Sequence, residues 1–201
     1  GEPDVLGPRI HDCHVEGDGS IWIVAAGNGY IQKYSNDGSE ILMQIGETGT
    51  YDSSDGSREG APLNSDRAQF FLPAAVDVDK ETGDIYVADG ELPGGNSRIA
   101  VISREGRFLR QWPLYRTNSD SNITPLPHCI RLSNDGLVYV CDREADRIQV
   151  FDRDGNFQRN IFLQFSPISA AEGRNSGARA SAAVLAFSPD QEQEFMFVIN
   201  Q

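Results

Sequence analysis

The chain has 201 residues and a formal net charge of −13, and it contains no apolar run of the about 18 residues that would span a membrane. The negative charge disfavours binding to nucleic acid or to an anionic membrane surface, because both interactions depend on lysine and arginine. The apolar runs are short and are interrupted by glycine and aspartate, which predicts an all-β protein.

Three segments repeat one pattern along the chain: residues 11–46, 74–114 and 128–163. Each begins with a short strand and an acidic turn that ends in glycine, continues with two alternating strands, and reaches a fourth strand through a second turn of the same kind. Asp-Gly and Glu-Gly pairs supply the positive φ angles that tight hairpins need. Four strands joined by hairpins form one blade of a β-propeller.

A fourth unit, residues 181–201, contains only the first two strands of the pattern. The sequence therefore predicts a single all-β domain over residues 1–201, a β-propeller with three four-stranded antiparallel blades and half of another. Polar links connect the predicted blades at 47–72, 115–126 and 164–180.

Two histidines occupy the same place in their repeats. His11 and His128 each lead the innermost strand of a blade, whereas the blade between them has Ala74 there. In a six-bladed ring, alternate blades lie about 120° apart around the central channel, and three imidazoles placed in this way form a zinc site with one open position. The alternative is a pair of polar residues at the channel mouth. His14 faces the opposite side of its strand and is interpreted as structural.

Four motifs carry a family resemblance: FLPAAVDVDKETGDIYVADG, GNSRIAVISREGRFLRQW, LPHCI and DREADRIQVF. Most tightly over residues 72–161, the chain resembles the lyase half of the peptidylglycine amidating enzymes, within the wider group of NHL-repeat propellers. The resemblance implies a zinc-dependent, six-bladed propeller that cleaves peptidyl-α-hydroxyglycine to a peptide amide and glyoxylate. It also implies a small peptide-like substrate and a secreted or periplasmic location.

The same resemblance assigns roles to individual residues. It makes both repeat histidines zinc ligands, and it matches Arg143 to a family arginine that faces the site and can hold a substrate carboxylate in a bidentate fork. The alternative for Arg143 is a salt bridge at the rim, with Glu144 or Asp146. The backbone carbonyl of Cys13 would contribute to a structural calcium site.

The chain also departs from the family. The family's site tyrosine follows the Asp-Gly of its second blade, but here Asp89-Gly90 leads into Glu-Leu-Pro-Gly-Gly at 91–95. The third histidine and an arginine upstream of the first blade have no counterpart. We therefore expect this chain alone to be inactive as a lyase, and the alternative function is a non-catalytic module that binds a peptide, a glycan or a protein partner.

Two of the three cysteines, Cys129 and Cys141, face each other if the hairpin between them is centred on Asp135. Directly opposed strand cysteines form only a strained, labile bridge. The prediction is therefore two small buried thiols rather than a disulfide.

The last predicted strand is apolar on both faces, because Phe195, Phe197 and Ile199 alternate with Met196 and Val198. Its outer edge has no partner in the predicted half blade, and such an edge is a template for another chain. We therefore expect a homodimer in which two copies pair along this strand.

Overall fold

The structure is a computed structural model, and it describes residues 9–25, 27–91, 94–116, 124–163 and 182–200. The described residues form three four-stranded sheets and one two-stranded sheet, all antiparallel and each built from strands that are consecutive in the chain. The strands are β1 Ile10–Val15, β2 Ile21–Ala25, β3 Ile31–Tyr34 and β4 Ile41–Ile45 in blade 1; β5 Pro73–Val78, β6 Ile85–Asp89, β7 Arg98–Ile102 and β8 Phe108–Pro113 in blade 2; β9 Pro127–Leu132, β10 Leu137–Asp142, β11 Arg147–Asp152 and β12 Phe157–Phe162 in blade 3; and β13 Ala182–Phe187 and β14 Met196–Asn200 in the half blade.

The architecture confirms the all-β propeller that the repeats predict. The described ranges contain no α-helix, and a short 3-10 turn, Arg143–Ala145, joins β10 to β11. None of the described helical segments is long and apolar enough to cross a membrane.

Apolar clusters fill the spaces between neighbouring blades. Trp22 and Val76 belong to the cluster between blades 1 and 2, and Trp112 packs near Phe151 between blades 2 and 3. A third cluster joins blade 3 to the half blade. Strands β5 to β7 are buried along their whole length because blade 2 has a neighbour on each side. The space at Gly155 shows how tight the packing is, since a Cβ there would lie 2.5 Å from the Trp112 ring.

A buried ion pair recurs in blades 2 and 3. Asp89, at the end of β6, accepts hydrogen bonds from Arg98, at the start of β7, and from two backbone amides that precede β5. Asp142, at the end of β10, and Arg147, at the start of β11, repeat this arrangement in blade 3. Both pairs are almost fully buried. These ion pairs stabilise one end of each blade, which we call its top. The two repeat histidines and the loop after β6 lie at this end.

Among the described residues, one edge of the half blade has no partner strand. Strand β14 pairs with β13 on one side, and no described strand pairs with its other side. Phe197 and Ile199 of β14 are 61% and 59% exposed, and the adjoining Phe195 is 58% exposed.

Candidate metal centre

The two repeat histidines lie at the starts of the innermost strands β1 and β9. His11 donates from Nδ1 to the carbonyl oxygen of Ala74 on the next blade, and His128 donates from Nδ1 to the carbonyl oxygen of Ala183 on the half blade, both at 2.7 Å. A carbonyl only accepts, so each Nδ1 carries the proton and each neutral imidazole presents its lone pair at Nε2. Metal-binding histidines are held in this way in many proteins.

Glu91 completes the group and was not predicted from the sequence. It follows Gly90 at the end of β6, and the backbone amides of both residues donate to the carbonyl oxygen of Leu72 at 2.9 and 3.0 Å. Gly90 is required at this turn: its φ is +146°, and a Cβ there would lie 1.6 Å from the carbonyl oxygen of Asn96. The signal for Glu91 was its position directly after Asp89-Gly90, where the amidating family has its site tyrosine.

The Glu91 carboxylate lies between the two imidazoles. His11 Nε2 is 3.3 Å from Glu91 Oε1, and His128 Nε2 is 3.5 Å from Glu91 Oε2. The imidazole rings meet edge to face with centroids 4.8 Å apart. The side chains are only 14%, 5% and 9% exposed in the order His11, Glu91, His128. A neutral Nε2 and a carboxylate oxygen both accept, so each contact calls for a proton or a metal cation between them.

The spacing of these atoms suits a tetrahedral metal. Zinc bonds of about 2.0–2.1 Å to nitrogen and oxygen place neighbouring ligand atoms about 3.3–3.4 Å apart. The two nitrogen-to-oxygen separations are close to that value but end on different oxygens of Glu91, and one ligand atom from each residue lies within 4.8 Å of the other two. The group is therefore a possible metal site made of two histidines and a carboxylate.

The shared carboxylate sets the pKa values of the group. Its hydrogen bond raises the pKa of His11 above the ordinary value of 6.5, against the effect of burial. Burial lowers the pKa of His128, and the charge of Glu91 offsets this only in part. Burial opposes ionisation of Glu91, but the hydrogen bond from His11 and the charge interactions with His128, His11 and Arg143 outweigh it and lower the pKa of Glu91. The lowered pKa values of Glu91 and His128 favour the ionised carboxylate and the neutral imidazole, which are the forms that bind a metal, whereas the raised pKa of His11 favours its protonated form.

Two guanidinium groups lie at the mouth of the site. Arg143 Nη1 is 3.4 Å from Glu91 Oε1, and Arg143 Nε is 4.0 Å from the carboxylate of Glu144. Arg9 Nη2, on a side chain that is 62% exposed, is 4.0 Å from Glu91 Oε1. The structure thus places Arg143 beside the histidines, and it adds an arginine upstream of blade 1 that the sequence did not identify. The signal for Arg9 was its position two residues before His11, on the same side of an extended chain.

The remaining candidates of blade 1 lie outside the group. His14 Nδ1 contacts the Asp77 carboxylate at 2.6 Å, and His14 is not among the possible metal ligands. Cys13 follows Asp12, whose two carboxylate oxygens are both 3.2 Å from the guanidinium of Arg131. The carboxylate next to Cys13 is therefore engaged by a cation, and the calcium site implied through the backbone carbonyl of Cys13 stays a prediction.

The cysteine prediction was wrong. Cys129 and Cys141 form a disulfide between β9 and β10, and Cys13 is the free cysteine. The two residues are direct partners in the strand register, as predicted, with Cα atoms 4.9 Å apart. That separation lies inside the range that a disulfide spans, so direct opposition permits the bond. Cys129 adjoins His128 in β9, and the bridge therefore ties the strand of one candidate ligand to β10.

The comparisons with known proteins agree with the repeat pattern and the propeller fold. The family model for the NHL repeat matches residues 124–151. NHL repeat-containing protein 3 of Homo sapiens is 34% identical over 139 residues, which are 67% of this chain and 36% of that protein. Peptidyl-glycine alpha-amidating monooxygenase A of Xenopus laevis is 32% identical over 158 residues, which are 75% of this chain and 15% of that protein.

Solved structures with the same fold are far more distant in sequence. A gluconolactonase from Xanthomonas campestris superposes with a TM-score of 0.57 at 16% identity, over 96% of this chain and 56% of that chain. At this identity the likeness supports the fold alone. The chain spans about a third of the length of the human relative and less of the amphibian one.

Proposed function

Because this chain is an NHL-repeat β-propeller protein, related to both NHL repeat-containing protein 3 and the peptidylglycine alpha-amidating monooxygenases, we propose that it is a zinc-dependent propeller of the amidating-lyase type. The substrate class is a small peptide-like molecule that ends in α-hydroxyglycine. One observation carries the proposal: the Nε2 atoms of two histidines and the carboxylate of Glu91 converge at one end of three consecutive blades.

His11 and His128 would hold the metal through Nε2, and the backbone carbonyls behind them keep both rings in the required tautomer. A bound zinc ion supplies a Lewis acid that lowers the pKa of a coordinated substrate hydroxyl. The near-complete burial of the ligands excludes water and strengthens every charge interaction at the site. Arg9 is the more exposed of the two guanidinium groups at the mouth, and it is available to attract a substrate carboxylate.

The test is metal analysis of the purified chain, followed by an assay for glyoxylate released from a peptidyl-α-hydroxyglycine. We expect one zinc ion per chain, which is lost in His11→Ala and in His128→Ala. His14→Ala is the matched control, because His14 lies on the same strand as His11 but contacts Asp77 instead of Glu91. The proposal fails if zinc is absent from the wild-type chain, or if both histidine variants retain it.

A second candidate function is a non-catalytic module that uses the same face to bind a peptide or protein partner. The observation that favours it is Glu91, which stands where the amidating family has its site tyrosine. Zinc bound without any release of glyoxylate would favour this function over a lyase that is active as this chain alone. Zinc together with glyoxylate release would exclude it.

We also propose that the protein works in an oxidising compartment and is secreted or periplasmic. The Cys129–Cys141 disulfide supports this proposal, because such bonds persist outside the reducing cytosol. Trapping of free thiols in intact cells of the source organism tests it. Alkylation of all three cysteines in the native cellular protein would contradict it.

A further inference from the structure

We propose that Glu91 is the third metal ligand of this site, through Oε2, and that Arg143 is the residue that positions it. The inference rests on the proposed function only in requiring that a metal binds between the histidines. It gives the site a ligand set of two histidines and one carboxylate, whereas a six-bladed ring with a histidine on alternate blades would supply three histidines.

The two oxygens of Glu91 have different surroundings. Oε1 is 3.3 Å from His11 Nε2 and 3.4 Å from Arg143 Nη1. Oε2 is buried and accepts no hydrogen bond from any described residue, and its neighbour is the Nε2 atom of His128 at 3.5 Å. A carboxylate oxygen buried without a donor is unfavourable, and the Nδ1 contact with the Ala183 carbonyl oxygen leaves Nε2 of His128 as the ring nitrogen that faces it. A cation between Oε2 and His128 Nε2 removes this penalty.

The other inner carboxylates are already engaged, which leaves Glu91 as the ligand. Asp12 is paired with Arg131, and Asp89 is held by Arg98. Asp77 contacts His14. Within the described ranges, His11, Glu91 and His128 form the group of metal-binding side chains that the structure brings together. Two histidines and a glutamate with one open position are a known ligand set for catalytic zinc.

The contacts of Arg143 fit a positioning role. Its backbone amide donates to the carbonyl oxygen of Leu126 at 3.0 Å, which anchors the residue on blade 3. Its guanidinium reaches across to Oε1 of Glu91, on blade 2, and leaves Oε2 turned towards His128. Removing a side chain that orients a metal ligand through a hydrogen bond typically weakens metal binding by about 10–100-fold. The sequence predicts that Arg143 holds a carboxylate of the substrate. In this proposal it holds the carboxylate of Glu91 instead.

The experiment is a zinc titration of the metal-free chain against a chelating indicator, with cobalt absorption spectra as the second readout. Glu91→Gln keeps the shape of the side chain and removes its charge, and we expect zinc affinity to fall by about 100-fold or more, with a changed cobalt spectrum. Glu144→Gln is the matched control, because Glu144 is 43% exposed and contacts Arg143 but neither histidine. It should leave affinity and spectrum unchanged.

Arg143→Met should weaken zinc binding by about 10–100-fold, and Arg143→Lys should recover part of the loss, which a purely structural role would not produce. Wild-type protein that binds no zinc overturns the inference together with the proposed function. Wild-type protein that binds zinc, with Glu91→Gln unchanged in affinity and spectrum, overturns the inference alone. If Glu91→Gln does not fold, X-ray absorption of the zinc-loaded wild type decides: two imidazoles with no carboxylate oxygen contradicts the assignment.

Discussion

Replacing Gly90 by alanine should unfold part of blade 2 and disable the metal site at once. The Cβ of alanine would lie 1.6 Å from the carbonyl oxygen and 2.7 Å from the carbonyl carbon of Asn96, and these backbone atoms cannot rotate away. The turn must therefore shift. Conformational strain costs about 1–3 kcal/mol, and the two hydrogen bonds to Leu72 contribute about 1 kcal/mol each. We expect the free energy of unfolding to fall by roughly 3–5 kcal/mol.

Gly38→Ala is the matched control. Gly38 also has a positive φ, of +71°, but a Cβ there would meet nothing within 4 Å. Its cost should be the left-handed penalty alone, about 1–2 kcal/mol. Urea unfolding measures both variants, and a zinc titration follows the site, which should be lost in Gly90→Ala and intact in Gly38→Ala. Equal stability of the two variants, with normal zinc binding in both, would refute the reasoning.

Three further predictions concern the fold and its assembly. Arg147→Met removes the guanidinium that pairs with the buried carboxylate of Asp142. The free energy of unfolding, measured by urea titration, should fall by about 3–5 kcal/mol, and a change below about 1 kcal/mol would contradict the role of the pair. Denatured, unreduced protein should show one reactive thiol, that of Cys13, and reduction should expose two more; three thiols before reduction would rule out the disulfide. We propose that two copies pair along β14, whose Phe197 is exposed. Sedimentation at low micromolar concentration should therefore show a dimer, which Phe197→Asp converts to a monomer. A monomeric wild-type protein would exclude this pairing.

The repeat pattern predicted the blades because each hairpin carries its own turn signal, and the strands are set by local alternation. It also placed His11 and His128 together, since equivalent positions on the innermost strands lie close to one another, and their ring centroids are 4.8 Å apart. Glu91 lay beyond such reasoning. Its position depends on a glycine conformation at residue 90 and on the carbonyl oxygen of Leu72, and neither follows a repeat. The disulfide depends on a Cα separation, which the strand register alone leaves open.

The three candidate ligands come from three consecutive blades, and both histidines are anchored by the backbone of a neighbouring blade. His11 leans on a carbonyl of blade 2, and His128 leans on a carbonyl of the half blade. A metal held by them and by Glu91 therefore links three blades that also contact one another through apolar clusters and ion pairs. Because the unfolded chain has no such site, binding stabilises the folded state, by about 4 kcal/mol at a free metal concentration of about a thousand times Kd. The packing of the blades and the occupancy of the site are thus a single linked equilibrium, and a substitution that loosens either one should weaken the other.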